Sequence, residues 1–192
     1  MLYLASQSPR RYQLLKQLAI AFQRFSVNVD ESVEKGESVL GYIHRIVNLK
    51  KNKAQQCVNH DDIVLVADTI VTLDGNIFTK PNSYQDAKYM LEQLSANQHE
   101  VYTSICVAQG DNSEMLDSVS QVKFRRINEH EIKAYWDSQE PCDKAGAYAI
   151  QGLGSIFVES ICGSYSSIMG LPLYETAMLL EKFGISILEK LE

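Results

Sequence analysis

Three stretches of the chain carry residue types suited to phosphate chemistry. In Ser6-Gln7-Ser8-Pro9-Arg10-Arg11 an apolar run stops and a helix is predicted to begin. Ser8 suits the N-cap and Pro9 the first helical position, so the unpaired backbone N–H groups there form an anion site before any side chain contributes. Cations in the first turn oppose the helix dipole, and placing both Arg10 and Arg11 there suggests an external anion that offsets the cost. The competing reading puts both arginines in solvent, with partners on a neighbouring loop. Lys50 lies four residues beyond Ile46, three beyond Val47 and four before Ala54, on the apolar stripe of a predicted helix. A lysine there either snorkels to the surface or points into a cleft where its charge needs an anionic partner. Lys53, one turn on, is a second candidate. Asp68, in Ala67-Asp68-Thr69, is expected at the carboxyl end of a buried strand, where open α/β sheets bind ligands, or else at the start of a turn. Glu31, beside Asp30, offers a second carboxylate. Two carboxylates with water and substrate phosphates make a typical magnesium site.

Further along, Lys80-Pro81 either returns a cation to the same place or forms an ordinary surface turn. A glycine-containing cluster follows: Lys144-Ala145-Gly146-Ala147-Tyr148, Gln151-Gly152-Leu153-Gly154, Gly163-Ser164-Tyr165 and Gly170-Leu171-Pro172. Glycines there permit close backbone approach or simply turns, and the Gln151 amide can donate and accept in one plane, as reading a nucleobase edge requires. Neither GxxxxGK[ST] nor GxGxxG is present, so P-loop and Rossmann sites are excluded. The lack of a GxSxG elbow, and of a second Asp two residues after Asp68, weighs against serine-hydrolase and aspartyl-phosphate chemistry.

The elements that must position these groups alternate short apolar strands with helices. Strands are predicted over residues 2–5, 22–28, 63–67, 70–73, 77–79, 99–108, 118–124 and 156–161, and helices over 9–18, 38–57, 83–94, 128–137 and 172–183. Asp74-Gly75 marks a hairpin, and Ser83 an N-cap with Asp86 as a weak capping-box acid. This pattern indicates an α/β or α+β fold with a mixed sheet, and the absence of linkers or repeats indicates a single domain over 1–192.

Composition narrows the function. With 18 basic and 24 acidic residues the net charge is −6, which disfavours long nucleic acids as partners. Residues 1–53 nevertheless hold nine basic against four acidic side chains, a local net of +5, leaving −11 for the remainder. Such a split marks either a polyanion site or lysines on solvated helix faces. The four cysteines form no CxxC pair and the four histidines no HxxH or HxxxH spacing. Reduced, mostly buried thiols in a cytoplasmic protein are therefore expected, without zinc or disulfides. No apolar run approaches a membrane span, so no membrane partner is expected.

Taken in order, these motifs resemble the Maf family of nucleoside triphosphate pyrophosphatases over nearly the whole chain. The resemblance is carried by Ser6 to Arg11, Asp30-Glu31, Arg45 with Lys50, Ala67-Asp68-Thr69-Ile70-Val71, Lys80-Pro81, His99-Glu100-Val101-Tyr102-Thr103, Asp143 to Tyr148, Gln151-Gly152, Gly163-Ser164-Tyr165 and Gly170-Leu171-Pro172-Leu173. It implies a mixed twisted sheet flanked by helices, with two lobes around a deep cleft, similar to inosine triphosphate pyrophosphatases. It also implies a divalent cation (Mg²⁺ or Mn²⁺), hydrolysis between the α and β phosphates, and a homodimer. The family's dTTP/UTP subgroup carries Gln, and its 7-methyl-GTP subgroup Glu, in the segment that reads Tyr148-Ala149-Ile150-Gln151-Gly152 here. By the resemblance Arg10, Thr69 and Gln151 set substrate choice and Asp68 accepts the proton. Ser8, Arg10, Arg11, Lys50 and Lys80 are expected to bind the triphosphate, and Glu31 with Asp68 the metal. The helix around Lys50 reads Ile46-Val47-Asn48-Leu49-Lys50-Lys51 where the family has Leu-Ala-x-x-Lys-Ala, and Ala96 replaces a frequent glycine. The competing functions are a non-catalytic interaction protein in cell-division control and an inosine or xanthosine triphosphate pyrophosphatase.

Overall fold

Runs rich in Val, Ile, Thr and aromatic residues form seven strands in the computed structural model, which describes residues 1–188. In chain order the elements are β1 (Leu2–Ala5), α1 (Pro9–Lys16), β2 (Gln23–Phe25), α2 (Val39–Gln55), β3 (Ile63–Leu73), β4 (Asn76–Phe78), α3 (Tyr84–Leu94), β5 (Gln98–Gln109), β6 (Asn112–Phe124), α4 (Glu129–Asp137), β7 (Val158–Cys162), α5 (Tyr165–Met169) and α6 (Leu173–Lys182). The sheet runs β2-β1-β3-β5-β6-β7, with β4 also paired to β3. β1 is parallel to β2 and β3, whereas β3–β4 and β6–β7 are antiparallel. The fold is thus the expected mixed α/β type. Among the described residues no helix is long and apolar enough to cross a membrane.

Local chemistry explains the boundaries. Ser8, Ser38, Ser83 and Asn128 each cap a helix by accepting a backbone N–H three residues on, and Asn128 with Glu131 completes a capping box. Asp86 instead accepts from Asn82 N–H, one residue ahead of the N-cap. Between β3 and β4, Asp74 and Gly75 both take positive φ, 51° and 78°, as a type I′ turn requires.

Several boundaries differ from expectation. Strand β3 does not stop at residue 67 and restart at 70: it runs unbroken through Asp68 to Leu73. Thr69, Ile70, Val71 and Thr72 are all β-branched and sustain the extended chain, so Asp68 sits inside a strand rather than at its end. β2 spans only Gln23–Phe25, and β7 begins two residues late because Leu153–Phe157 form a 3₁₀ helix. Helix α2 ends at Gln55, short of the expected 57, and Cys57 beyond it is exposed. The expectation of mostly buried thiols also fails: Cys106 is buried, Cys142 half-buried, and Cys57 and Cys162 exposed, all four being free.

The chain sorts into two compact units. The first comprises Met1–Asp68, Thr103–Ser118 and the described residues from Gly170 onward; the second comprises Thr69–Tyr102 and Val119–Met169. In the first, Ala5, Val27, Val47, Ala54, Val64, Val66, Cys106 and Ala108 form an apolar cluster that includes the inner face of α2. In the second, the core is aromatic, with Phe78, Phe124, Tyr135, Tyr148 and Phe157 packed among Leu91, Leu94 and Val122. Edge-to-face ring pairs such as Phe124–Tyr148 and Tyr135–Phe157 order that core.

Candidate active site

Helix α2 buries Tyr42, Ile43, Ile46, Val47, Lys50 and Ala54 at spacings of one to four residues along one side. Lys50 therefore does not snorkel: its side chain is 9% exposed and its ammonium lies 2.7 Å from Asp68 Oδ1 and 2.7 Å from Glu31 Oε1. Both partners lie in the same unit, Asp68 inside β3 and Glu31 in the loop after β2. The two carboxylate oxygens lie within twice 2.7 Å of each other, held by one cation. A buried charge without a partner would be prohibitive, so these three residues define one another's positions.

The Glu31 loop is tied to α2 by two side chains that sequence reading missed or left without a role. Tyr42 donates its hydroxyl to the Glu31 carbonyl at 2.9 Å. Burial, reinforced by Asp68 and Glu31, raises the Tyr42 phenol above its ordinary range and keeps it a donor. Arg45 clasps Glu37 with two 2.7 Å bonds and donates to the Ser32 carbonyl at 2.8 Å. The available signal was Tyr42 on the same helical face, eight residues before Lys50.

Ser8 caps α1 through its Oγ, which accepts from Arg11 N–H at 3.4 Å, while Ser8 N–H donates to Ser6 Oγ at 3.2 Å. Arg11 is not a solvated side chain. Its Nε donates to the Gly170 carbonyl at 2.7 Å, and Gly170 adopts φ 112°, a conformation that favours glycine. Burial lowers the Arg11 pKa; Asp68 and Glu31 oppose that shift and Arg10 adds to it, so these charges share one electrostatic environment. Lys53, the alternative to Lys50, points elsewhere and donates to the Asn28 carbonyl. The first unit thus brings Glu31, Lys50 and Asp68 together, with Arg11 at the start of α1 in their field.

Three further candidates belong to the second unit. Thr69 follows Asp68 in β3 and is half-buried; Lys80 is exposed just after β4; and Gln151 is exposed on a turn closed by Gly152 N–H donating to the Ala149 carbonyl. Next to Lys80, the Thr79 carbonyl accepts from Gly146 N–H.

Whether this chain can hold a divalent cation depends on its donors. Among the described residues no group of three or more His, Cys, Asp or Glu is disposed around a point. Glu31 and Asp68 offer two hard oxygen donors already drawn together by a positive charge. That set fits Mg²⁺ or Mn²⁺, which take one or two carboxylates and complete their shell with water and phosphate oxygens.

The chain matches the family model described as Maf-like protein over residues 1–183. It is 46% identical over 188 residues to the dTTP/UTP pyrophosphatase of Hahella chejuensis, covering 97% of this chain and 94% of that protein. It is also 46% identical over 184 residues to the dTTP/UTP pyrophosphatase of Methylococcus capsulatus, covering 96% and 91%. The Staphylococcus aureus Ham1 protein structure aligns with a TM-score of 0.47 at 13% identity, over 64% of this chain and 71% of that one. On the sequence matches, this chain belongs to the Maf family.

Proposed function

We propose that this chain is a nucleoside triphosphate pyrophosphatase that hydrolyses dTTP and UTP to the monophosphate and pyrophosphate. The observation that carries the reading is the meeting of Glu31 and Asp68 at the buried Lys50 ammonium, in the field of Arg11 at the start of α1. Near-full-length relatives at 46% identity that bear this activity in their names support the substrate choice, as does Gln151 in the Tyr148–Gly152 segment.

In this mechanism the side chains of Ser8, Arg10 and Arg11 at the start of α1 receive phosphate oxygens, and Lys50 and Lys80 supply further positive charge. Asp68 takes the proton of a water molecule as that water attacks the α-phosphorus and the bond from phosphorus to the α–β bridging oxygen breaks, releasing pyrophosphate. A rigid strand holds Asp68, so its carboxylate is pre-placed rather than recruited. When bound, a divalent cation at Glu31 and Asp68 supplies electrostatic stabilisation of phosphate charge. Arg10, Thr69 and Gln151 discriminate among nucleotides.

The test is a panel of canonical and modified nucleoside triphosphates with Mg²⁺ or Mn²⁺ and identification of products. The expected result is dTMP and UMP with pyrophosphate. Preference for inosine or xanthosine nucleotides, release of orthophosphate, or no turnover of any nucleotide overturns it, the last in favour of a non-catalytic interaction protein.

A further inference from the structure

Gln151 occupies a turn that one carboxylate, borrowed from another part of the second unit, holds in place. Glu140 Oε2 accepts from Leu153 N–H at 2.9 Å, and Oε1 accepts from Gly154 N–H at 3.0 Å and from the Tyr135 hydroxyl at 2.7 Å. The same hydroxyl accepts from Ala149 N–H at 3.0 Å. Residues 149, 153 and 154 are therefore fixed on both sides of Gln151, and only the exposed apex is left to face a ligand. The fit is close: a Cβ at Gly152 would fall 2.2 Å from Glu140 Oε2. Tyr135 is 5% exposed and anchored on Phe157, so the brace is built on the rigid core rather than on another loop. Burial pushes the Glu140 carboxyl up, but the N–H groups of Gly154 and Leu153 and the Tyr135 hydroxyl outweigh it and hold the group below its usual range.

We propose that Glu140 and Tyr135 are positioning residues for nucleobase selection, fixing the backbone from which the Gln151 amide reads the base. This rests on the reading that Gln151 contacts the base. A planar amide that must match donor and acceptor on an imide edge loses discrimination when its backbone drifts, because mismatched bases then find acceptable poses.

Glu140→Gln preserves volume but turns one acceptor into an N–H₂ that faces donors. For this variant the kcat/KM ratio of dTTP over dCTP and dGTP falls about tenfold, most of the loss for dTTP lies in KM rather than kcat, and amide exchange at Leu153 and Gly154 accelerates. Tyr135→Phe moves all three in the same direction and substitutes if Glu140→Gln does not fold. Unchanged exchange at Leu153 and Gly154, or faster exchange with an unchanged selectivity ratio, overturns the proposal. Gln151→Glu run alongside separates the two levels. If it alters the substrate profile while Glu140→Gln does not, the brace is wrong and the base reading stands; if it leaves the profile unchanged, the base reading falls and this inference with it.

Discussion

Both units bury neutral polar side chains, but among the described residues only the first also buries formal charge. In the first, Lys50 sits between Glu31 and Asp68, two carboxylates within hydrogen-bonding distance of one ammonium. In the second, His99 is 2% exposed, its Nε2 lies 2.9 Å from the Tyr148 hydroxyl, and its ring meets Phe124 edge-on. Burial pushes His99 down to about 4, so at neutral pH it is an uncharged packing element, and its Nδ1 has no hydrogen-bond partner. A buried ion pair gains less stability than an apolar replacement of equal volume often would. Keeping one where the neighbouring unit achieves burial with neutral groups points to a use for the charge itself, and phosphate chemistry is such a use.

The sharpest way to break this comparison is to neutralise the charged unit where chemistry is assigned. Asp68→Asn keeps the volume, removes the proton acceptor, and should lower kcat for dTTP about 10³-fold with the fold retained by circular dichroism. Near-normal turnover would reduce Asp68 to a structural partner of Lys50. Next in size is Lys50→Met, which leaves two carboxylates without their shared cation and should cost about 3 kcal/mol in urea unfolding. Added Mn²⁺ should recover part of that loss, since a ligand that binds only the folded state stabilises it. A variant as stable as the parent would show that the pair contributes nothing to holding the Glu31 loop.

The neutral unit has its own lever. His99 binds a proton near pH 4 when folded, against 6.5 for the free side chain, so between those values the unfolded chain holds more protons. Its contribution is present in full above pH 6.5 and declines as pH falls toward 4, by at most about 3 kcal/mol. Urea unfolding from pH 7 to 4 should show this acid limb. His99→Phe should flatten it whatever its effect on stability at pH 7, and an identical slope in both proteins would assign the limb to other groups.

Legibility from sequence follows the range of the forces involved. Lys50 was readable as an inward residue because helical periodicity is local, and Ser8 because capping involves three neighbours. The hairpin at Asp74-Gly75 was readable for the same reason. What failed was set at a distance. Asp68 looked like a strand end because a carboxylate usually interrupts a buried strand, whereas its cation waits eighteen residues earlier on α2. The Arg11 acceptor at Gly170 lies 159 residues away, and the Glu140 brace on Leu153 and Gly154 has no local pattern. Lys80 and Gln151 were nameable from side-chain chemistry alone, but their exposed positions follow no spacing rule, and Thr69 entered only through the family resemblance.

The smallest effect tests whether the comparison extends to the backbone. Each unit has an exposed alanine with left-handed φ just after a helix: Ala19 at 53° after α1 in the first and Ala96 at 60° after α3 in the second. Ala19 N–H closes its turn onto the Lys16 carbonyl, whereas Ala96 N–H donates to the Arg125 carbonyl just after β6. An L-residue in this conformation costs about 1 kcal/mol or slightly more, and glycine removes the cost while losing more entropy on folding. Ala96→Gly and Ala19→Gly should therefore each gain about 0.5 kcal/mol, a rise in Tm of about 1–2 °C for a chain of this size, with kcat and KM unchanged. Equal gains would mean that this strain is a property of the turn, indifferent to whether charged or neutral groups fill the unit behind it. A gain at Ala19 with a loss at Ala96 would instead show that the Ala96 methyl packs usefully, and would place the second unit's dependence on side-chain contact in its loops as well as its core.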